Sequence, residues 1–293
     1  YQEPEQKVAS ILAEASQAKP IIDIAHSGER HIVWAITNSK FQQQIKRSLS
    51  AQWVYMADGH HRYETALAYQ MERARPSPDK GWGEKGIPIT GKEAFNYTMM
   101  ELVDFSDPGL VVLPIHRLVR GISPSVLARL RNQLEGFFML ESVPLTSVPS
   151  PLMGEGQGEG EELINSLKST HFAVFGLELG YLVFLKQRQS VSLGAMMPGN
   201  RSQAYREFNV SLLNHVILDK VLSGAKDLDI AYTVDTTEAY HQIREGKCQL
   251  AFLLGSPQLE TVKAIADAKD RMPRKSTYFY PKLPAGLIIN SLD

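Results

Sequence analysis

The sequence predicts an α/β (α+β) protein in which amphipathic helices alternate with short buried strands. Apolar residues recur at helical spacing over 8–18, and the apolar run 31–36 that follows is typical of a buried strand. Near the other end, 230–234 and 250–254 predict strands, and 259–271 predicts a helix. With 293 residues, of which 43% are hydrophobic, the chain is long enough to bury one large or two modest cores.

The same alternation continues between these ends. Periodicity predicts further helices over 41–49, 63–74, 124–134 and 203–222, and further strands over 52–57, 95–103, 110–113, 172–177 and 181–185. Ser123 followed by Pro124 indicates a helix start, and Gly180 marks the turn of a hairpin. Two stretches rich in glycine and proline, 75–92 and 144–162, predict irregular loops, and the second, also rich in glutamate, is expected to be a flexible insert.

Changes in composition divide the chain into three predicted segments. Residues 1–120 are expected to form a core domain, and 121–225 a smaller α+β subdomain that carries the insert. Residues 226–293 are expected to return to the core. The sequence begins at Tyr1 without an initiating methionine, so we expect an upstream segment of the natural chain to be missing.

Composition also restricts the classes of partner. The 31 basic and 32 acidic side chains give a net charge of −1, which disfavours nucleic acid as a partner. No stretch approaches the ~18 apolar residues of a membrane span. The single Cys248 cannot form an internal disulfide, so a reducing, cytoplasmic location is predicted.

One corner between a predicted strand and a predicted helix concentrates chemically active groups: Asp58, Gly59, His60, His61 and Arg62. A glycine at such a corner lets the backbone turn sharply, and the amides of a helix's first turn attract anions. Arg62 can grip a phosphate through two parallel hydrogen bonds, and Asp58 could hold Mg²⁺ or take a proton from a substrate hydroxyl. These residues predict a phosphate cradle.

The same residues are equally compatible with a purely structural corner. In that alternative one histidine packs in the core, Asp58 caps the helix, and Arg62 pairs with Glu64 or Glu72. A metal site is disfavoured, because adjacent histidines point apart and only His60 and Glu64 have helical i, i+4 spacing. Asp58 is the residue that could hold Mg²⁺, although no metal-binding motif surrounds it.

Three motifs in one order resemble the family catalogued as domain of unknown function 1015. They are Ala57–Leu67 (ADGHHRYETAL), 96–119 with its NYTMM, DPGL and LPIHRLV elements, and Met272–Leu283 (MPRKSTYFYPKL). The resemblance covers nearly the whole chain apart from the insert. The chain departs from the family at Arg274, where glutamine is more common.

The Asp-Gly-His-His-Arg element also resembles the phosphate-binding corner of free serine kinases and, more distantly, those of sulfiredoxins and ParB-type nucleotide-binding proteins. This resemblance implies a ParB/sulfiredoxin-like mixed-sheet core, with ATP or ADP and Mg²⁺ as cofactors. It assigns phosphate or nucleotide binding to Gly59, His60, His61 and Arg62. It assigns catalysis to Asp58, His60 and His61.

The C-terminal motif adds an ammonium group and two hydroxyls at Lys275, Ser276 and Thr277. Such groups hold phosphate and magnesium elsewhere, although the glycines of a P-loop are lacking here. In an extended segment, Lys275 and Thr277 would face one way and Ser276 the other. The alternative is an aromatic strand with a terminal lysine. Three further polar residues are candidates for substrate contact: His116, Arg117 and Asn96.

Taken with the resemblance, these residues predict a cytoplasmic phosphotransfer enzyme. It would be a small-molecule kinase or phosphatase that acts on serine, phosphoserine or a similar metabolite, since both directions need the same phosphate clamp. The expected partners are a nucleotide and a small phosphorylated metabolite, with no membrane and with a homodimer left open. The alternatives are a nucleotide-sensing or DNA-associated regulator of ParB-like type and a non-catalytic relative.

Overall fold

The computed structural model of the chain describes residues 1–26, 28–74, 91–147, 171–284 and 286–289. The chain divides into two compact units, Tyr1–Leu110 with Pro281–Asp293 and Val111–Tyr280. These bounds differ from those of the three predicted segments, since strands of 121–225 share one sheet with strands that lie further along the chain. Nearly all of the predicted loop 75–92 and most of the predicted insert 144–162 lie outside the described residues.

In its described part, the first unit contains a hairpin and three α-helices. Their bounds are α1 Lys7–Ala15, β1 Ile22–His26, β2 Glu29–Val33, α2 Ser39–Ser50 and α3 His60–Ala74. The two strands pair antiparallel along their whole length. Asn38 caps α2 by accepting a hydrogen bond from the Lys40 N–H at 2.9 Å. The helices predicted over 8–18, 41–49 and 63–74 are thus confirmed, with shifted ends.

Two strands predicted for this unit are wrong. Residues 53–57 have no regular structure, and the segment 95–103 contains only the end of a 3₁₀ turn at Ala94–Asn96. Trp53 is 83% exposed and Tyr97 is 61% exposed. An apolar segment becomes a strand when a neighbouring strand accepts and donates its backbone hydrogen bonds. No strand of the described ranges lies in that position here.

The second unit is organised around a sheet. Its strands are β3 Val111–Leu113, β4 His116–Arg120, β5 Phe138–Pro144, β6 Phe172–Phe175, β7 Tyr181–Gln187, β8 Asp229–Thr233, β9 Leu250–Leu253 and β10 Tyr278–Tyr280. Within the described residues, six of them form one antiparallel sheet in the order β5-β7-β6-β9-β4-β8, and β3 pairs with β10. Gly180, with a φ of 79°, lies in the predicted turn of the β6–β7 hairpin.

Helices pack on both faces of this sheet. They are α4 Pro124–Glu135, α5 Gln203–Glu207, α6 Asn209–Leu212 followed by a π-helix over Leu213–Val221, α7 Thr236–Arg244 and α8 Leu259–Asp267. One face packs against α4, the π-helix and α8, and the other against α7. Val119 faces the first layer and Leu118 the second, as the alternation of a strand requires.

The large cluster on the first face forms the main core of the second unit. Leu130 and Leu134 of α4 and Phe252 of β9 are all 0% exposed in it. The antiparallel sheet with helices on both faces confirms the predicted mixed α and β class. None of the helices in the described ranges combines the length and the apolar character that crossing a bilayer demands.

Candidate functional site

Helix α3 begins at the corner that the sequence analysis singles out. Gly59 precedes the helix with a φ of 77°, in the left-handed region that glycine enters without strain. The Gly59 N–H donates to Asp58 Oδ1 at 2.8 Å, and the Gly59 carbonyl accepts from the Tyr63 N–H at 3.0 Å as the first turn closes. The amides between these positions face the helix start, which is the arrangement that attracts anions.

The Arg62 side chain folds back over this corner. A Cβ atom placed on Gly59 would lie 3.2 Å from Arg62 Nη2 and 3.4 Å from Arg62 Nε. Position 59 therefore favours glycine for two reasons, the backbone conformation and the guanidinium that lies against it. The positive charge of Arg62 also acts on the carboxylate of Asp58.

The structure adds a residue that the sequence analysis missed. Lys282 Nζ lies 2.5 Å from Asp58 Oδ2, although 224 residues separate the two along the chain. Both side chains are partly exposed, at 40% for Lys282 and 58% for Asp58. Lys282 lies within the sequence motif Met272–Leu283, so its place in that motif was the available signal.

Two carboxylates near Lys282 have opposite electrostatic environments. Burial by itself would raise the pKa of Asp58, but the hydrogen bonds from Lys282 and Gly59 and the charges of Lys282 and Arg62 lower that pKa below its ordinary value. Partial desolvation raises the pKa of Glu101, the charge of Asp58 raises it further, and the charge of Lys282 opposes the shift. Asp58 is thus held ionised, whereas Glu101 binds a proton more readily.

Both histidines of the corner lie at the surface. His60 and His61 are exposed, so neither packs in the core as the structural alternative would require. His61 Nδ1 lies 3.6 Å from Glu64 Oε2, one turn along the helix. The two imidazoles therefore remain accessible to a ligand that approaches the start of α3.

Asn96 makes two side-chain hydrogen bonds within the first unit. Its Oδ1 accepts from Gln70 Nε2 at 2.9 Å, and its Nδ2 donates to Glu93 Oε2 at 2.7 Å. The bond to Gln70 ties the 3₁₀ turn to α3, and the predicted substrate contact at Asn96 would have to replace one of the two bonds. A separate groove along α1 and α2, past Ile11 and Phe41, contains none of the corner residues.

His116 and Arg117, which the sequence analysis places at a strand end for substrate contact, lie inside the second unit. They are 0% and 1% exposed. His116 Nδ1 accepts from the Leu254 N–H at 3.2 Å. Burial, followed by the charge of Arg117, lowers the pKa of His116 to about 4 despite the opposing charge of Asp235. Both side chains are therefore shielded from solvent, and substrate contact by His116 and Arg117 stays a prediction.

The buried Arg117 guanidinium organises the loop before β10. It donates to the carbonyl of Lys275 at 2.7 Å and to the carbonyl of Ile115. Its Cζ lies 5.4 Å from the centre of the Tyr232 ring. Burial lowers the pKa of Arg117 to about 10, so the group stays charged at neutral pH.

The extended backbone on which the alternation of Lys275, Ser276 and Thr277 depends is absent at Lys275. Lys275 has a φ of 57°, so the segment turns there instead of extending. Ser276 is 4% exposed and its hydroxyl donates to the Pro273 carbonyl at 2.5 Å, while Lys275 is exposed. The Ser276 hydroxyl supports the turn. Lys275, Ser276 and Thr277 all belong to the second unit, whereas the Asp58 corner belongs to the first.

The residues at the corner do not match a magnesium site. Among the described residues, no three His, Cys, Asp or Glu side chains converge into a site that would hold a metal ion through the protein alone. Asp58 already lies beside the cations of Lys282 and Arg62, which is a poor setting for a further cation. We therefore assign no chemical step to a metal ion.

The fold and this corner define an α+β protein with an anion-attracting helix start. The chain belongs to the family described as protein of unknown function (DUF1015), whose family model matches residues 1–212. Comparison with curated proteins gives no match.

Several solved structures are similar to the chain at low identity. A free serine kinase in complex with AMP is 16% identical, with 94% of this chain and 80% of that chain covered and a TM-score of 0.38. A mutant free serine kinase in complex with ADP is 15% identical, with 95% and 81% covered and a TM-score of 0.37. A conserved hypothetical protein from Pyrococcus furiosus is 16% identical, with 94% and 82% covered and a TM-score of 0.37. Because these TM-scores are too low to carry an argument about function, we infer the function from the corner itself.

Proposed function

We propose that this chain is a phosphotransfer enzyme that binds the phosphates of ATP or ADP at the corner formed by Asp58, Gly59, His60, His61 and Arg62. The observation that carries the proposal is the Arg62 guanidinium lying over Gly59 at the start of α3. First-turn amides and a planar guanidinium offer one phosphate two kinds of donor. The sequence resemblance of this motif to the phosphate-binding corner of free serine kinases supports the same assignment.

The surroundings of the corner suit an anion better than they suit a neutral ligand. Gly59 has no side chain, so phosphate oxygens can approach the backbone amides closely. His60 and His61 are exposed beside these amides and add up to two further donors. Catalysis of phosphoryl transfer relies on positioning and on charge stabilisation by such groups.

The two carboxylates suit different tasks. Asp58 is held ionised by its cationic neighbours, so it is a weak proton acceptor that is better suited to positioning. Glu101, whose pKa is raised, is the better acceptor for the proton of an attacking hydroxyl. In transfer from ATP to a small hydroxyl metabolite such as serine, the hydroxyl oxygen bonds to the terminal phosphorus as the bond to ADP breaks and ADP leaves. Glu101 takes the hydroxyl proton while Arg62 holds the phosphoryl oxygens.

Binding is tested by calorimetry with the full chain and ATP, ADP or phosphoserine. Removing a charge-assisted bidentate contact in Arg62→Ala is expected to weaken phosphate binding about 10-fold or more. Arg129→Ala removes another exposed helical arginine, one that lies in the second unit, and is the matched control. Absence of binding by the folded chain, or equal affinities of the native protein and Arg62→Ala, would refute the phosphate site.

Transfer is tested by phosphorus NMR of mixtures of nucleotide with serine and of nucleotide with phosphoserine. Growth of a phosphomonoester signal from serine indicates the kinase direction, and its loss from phosphoserine indicates the reverse. Glu101→Gln should slow either transfer at least about 100-fold while the nucleotide still binds. Nucleotide binding without transfer to any small hydroxyl compound would overturn the enzymatic assignment and favour the nucleotide-sensing alternative.

A further inference from the structure

We propose that Lys282 is a second phosphate-binding side chain of this corner and that Asp58 is the residue that positions it. This inference deepens the proposed function and rests on it. The sequence predicts Lys275 as the C-terminal cation of the site. The structure places Lys282, seven residues further on, against Asp58 in the same compact unit.

The Asp58 carboxylate connects the lysine to the backbone of the corner. One of its oxygens accepts from the Gly59 N–H at 2.8 Å, and the other lies 2.5 Å from Lys282 Nζ. The Asp58 carboxylate therefore bridges the Lys282 ammonium and the Gly59 amide at the start of the proposed phosphate site. At 40% exposure, the Lys282 side chain is also accessible to a dissolved anion.

Lys282 contacts the Asp58 carboxylate, and Arg62 lies against the adjoining Gly59. The charges of both act on Asp58, and the Arg62 guanidinium lies against Gly59, whose amide bonds that carboxylate. A phosphate that binds at the start of α3 would thus find two cations, Arg62 and Lys282, already located near the Asp58 carboxylate. Cations assembled before the ligand arrives bind it without the ordering cost that separate side chains would incur.

The Lys282–Asp58 pair is weak enough to yield to a ligand. Ion pairs between exposed side chains contribute little to stability, because water screens them well. A phosphate carries more charge than a carboxylate and offers more acceptor oxygens. Lys282 can therefore turn part of its hydrogen bonding toward the phosphate, while Asp58 keeps the ammonium close to the corner.

Calorimetric titration of the full chain with ATP, and separately with inorganic pyrophosphate, tests the role of Lys282. Lys282→Met is expected to weaken both probes about 10-fold, and Lys282→Arg, which keeps the charge, should lose less than about 3-fold. Lys186→Met is the matched control, because the Lys186–Glu141 pair in the second unit has the same exposures of 40% and 58%.

A gain of affinity gives a readout that misfolding cannot imitate. The charge of Glu101 acts on the same neighbourhood as Lys282 and opposes an incoming anion. Glu101→Gln removes that charge and should tighten pyrophosphate binding about 3-fold. An unchanged or weaker affinity in Glu101→Gln would contradict a phosphate position next to Lys282.

A double-mutant cycle tests the positioning role of Asp58. If Asp58 acts through Lys282, then Asp58→Asn should weaken pyrophosphate binding in the native background but not in the Lys282→Met background. Equal effects in the two backgrounds would overturn the positioning role. A structural contribution of Asp58 to folding would appear in both backgrounds alike.

The outcomes separate this inference from the function on which it rests. If the native chain binds neither ATP nor pyrophosphate, the phosphate site itself is refuted, and Lys282 loses its role with it. If the native chain binds both probes and Lys282→Met binds them equally well, only the assignment of Lys282 is overturned. A loss in Lys275→Met with none in Lys282→Met would return the C-terminal cation to the position predicted from sequence.

Discussion

The buried His116 should make the second unit sensitive to acid. Its imidazole is 0% exposed, and its pKa falls to about 4 because burial, helped by the charge of Arg117, disfavours the protonated form. Below pH 6.5 the unfolded chain binds a proton that the folded chain does not bind until about pH 4. The stabilisation by neutral His116 is therefore complete above pH 6.5 and is lost as the pH falls.

The expected loss follows from the difference between the two pKa values. At 1.36 kcal/mol for each unit of pKa, lowering the pH from 7.5 to 4.5 should reduce the free energy of unfolding by about 2.5 kcal/mol through His116 alone. Other groups titrate in the same range, so the native protein is compared with His116→Asn, which keeps an acceptor for the Leu254 N–H. The difference between the two pH profiles isolates the histidine.

Urea unfolding followed by circular dichroism measures the profiles, and amide hydrogen exchange in β9 reports on this unit. His241→Asn, at an exposed position, is the control and should keep the native pH dependence. Identical profiles for the native protein and His116→Asn would refute the reasoning. An NMR titration that gives His116 a pKa near 6.5 in the folded protein would refute it as well.

Three further predictions concern the packing of the second unit, and urea unfolding checks each. Gly176→Ala should cost at least about 3 kcal/mol, since its Cβ would lie 2.1 Å from the Gln249 carbonyl oxygen, whereas Gly180→Ala, with a similar φ and open space, should cost about 1 kcal/mol. Equal costs would show that the backbone shifts freely at Gly176. Leu130→Ala should cost about 3 kcal/mol in the core, and a loss below about 1 kcal/mol would contradict its burial. Arg117→Met should cost about 2 kcal/mol by leaving buried carbonyls unpaired, and an unchanged stability would show that the guanidinium is dispensable.

Strands β6 and β9 of the second unit could be predicted because burial on both faces leaves an unbroken apolar run. All four residues of β6 and of β9 are buried, and both strands were predicted. Strand β4 was not, because His116 and Arg117 interrupt its apolar run. Strand β5 was not either, because it lies at an edge of the sheet and mixes buried and exposed positions. Its register comes from pairing with β7, which its own residues do not specify.

The first unit shows the opposite error. Segments 52–57 and 95–103 have the apolar character of strands but do not form them. A strand depends on hydrogen bonds to a second segment. Apolar periodicity shows only that a segment has an apolar face to bury, and it does not show whether a partner strand is present. The helices of this unit could be predicted because their hydrogen bonds close within each segment.

The sequence by itself determined the corner: a glycine between Asp58 and a helix start, followed by two histidines and an arginine, specifies a turn whose bonds all lie within a few residues. Only the tertiary structure decided which distant groups join it. It brought Lys282 to Asp58 across 224 residues, and it buried His116 and Arg117 inside the other unit. Hydrogen bonds within a few residues can be predicted from a short stretch of sequence. Ion pairs between distant residues, and the burial of a side chain by distant segments, depend on how the whole chain packs.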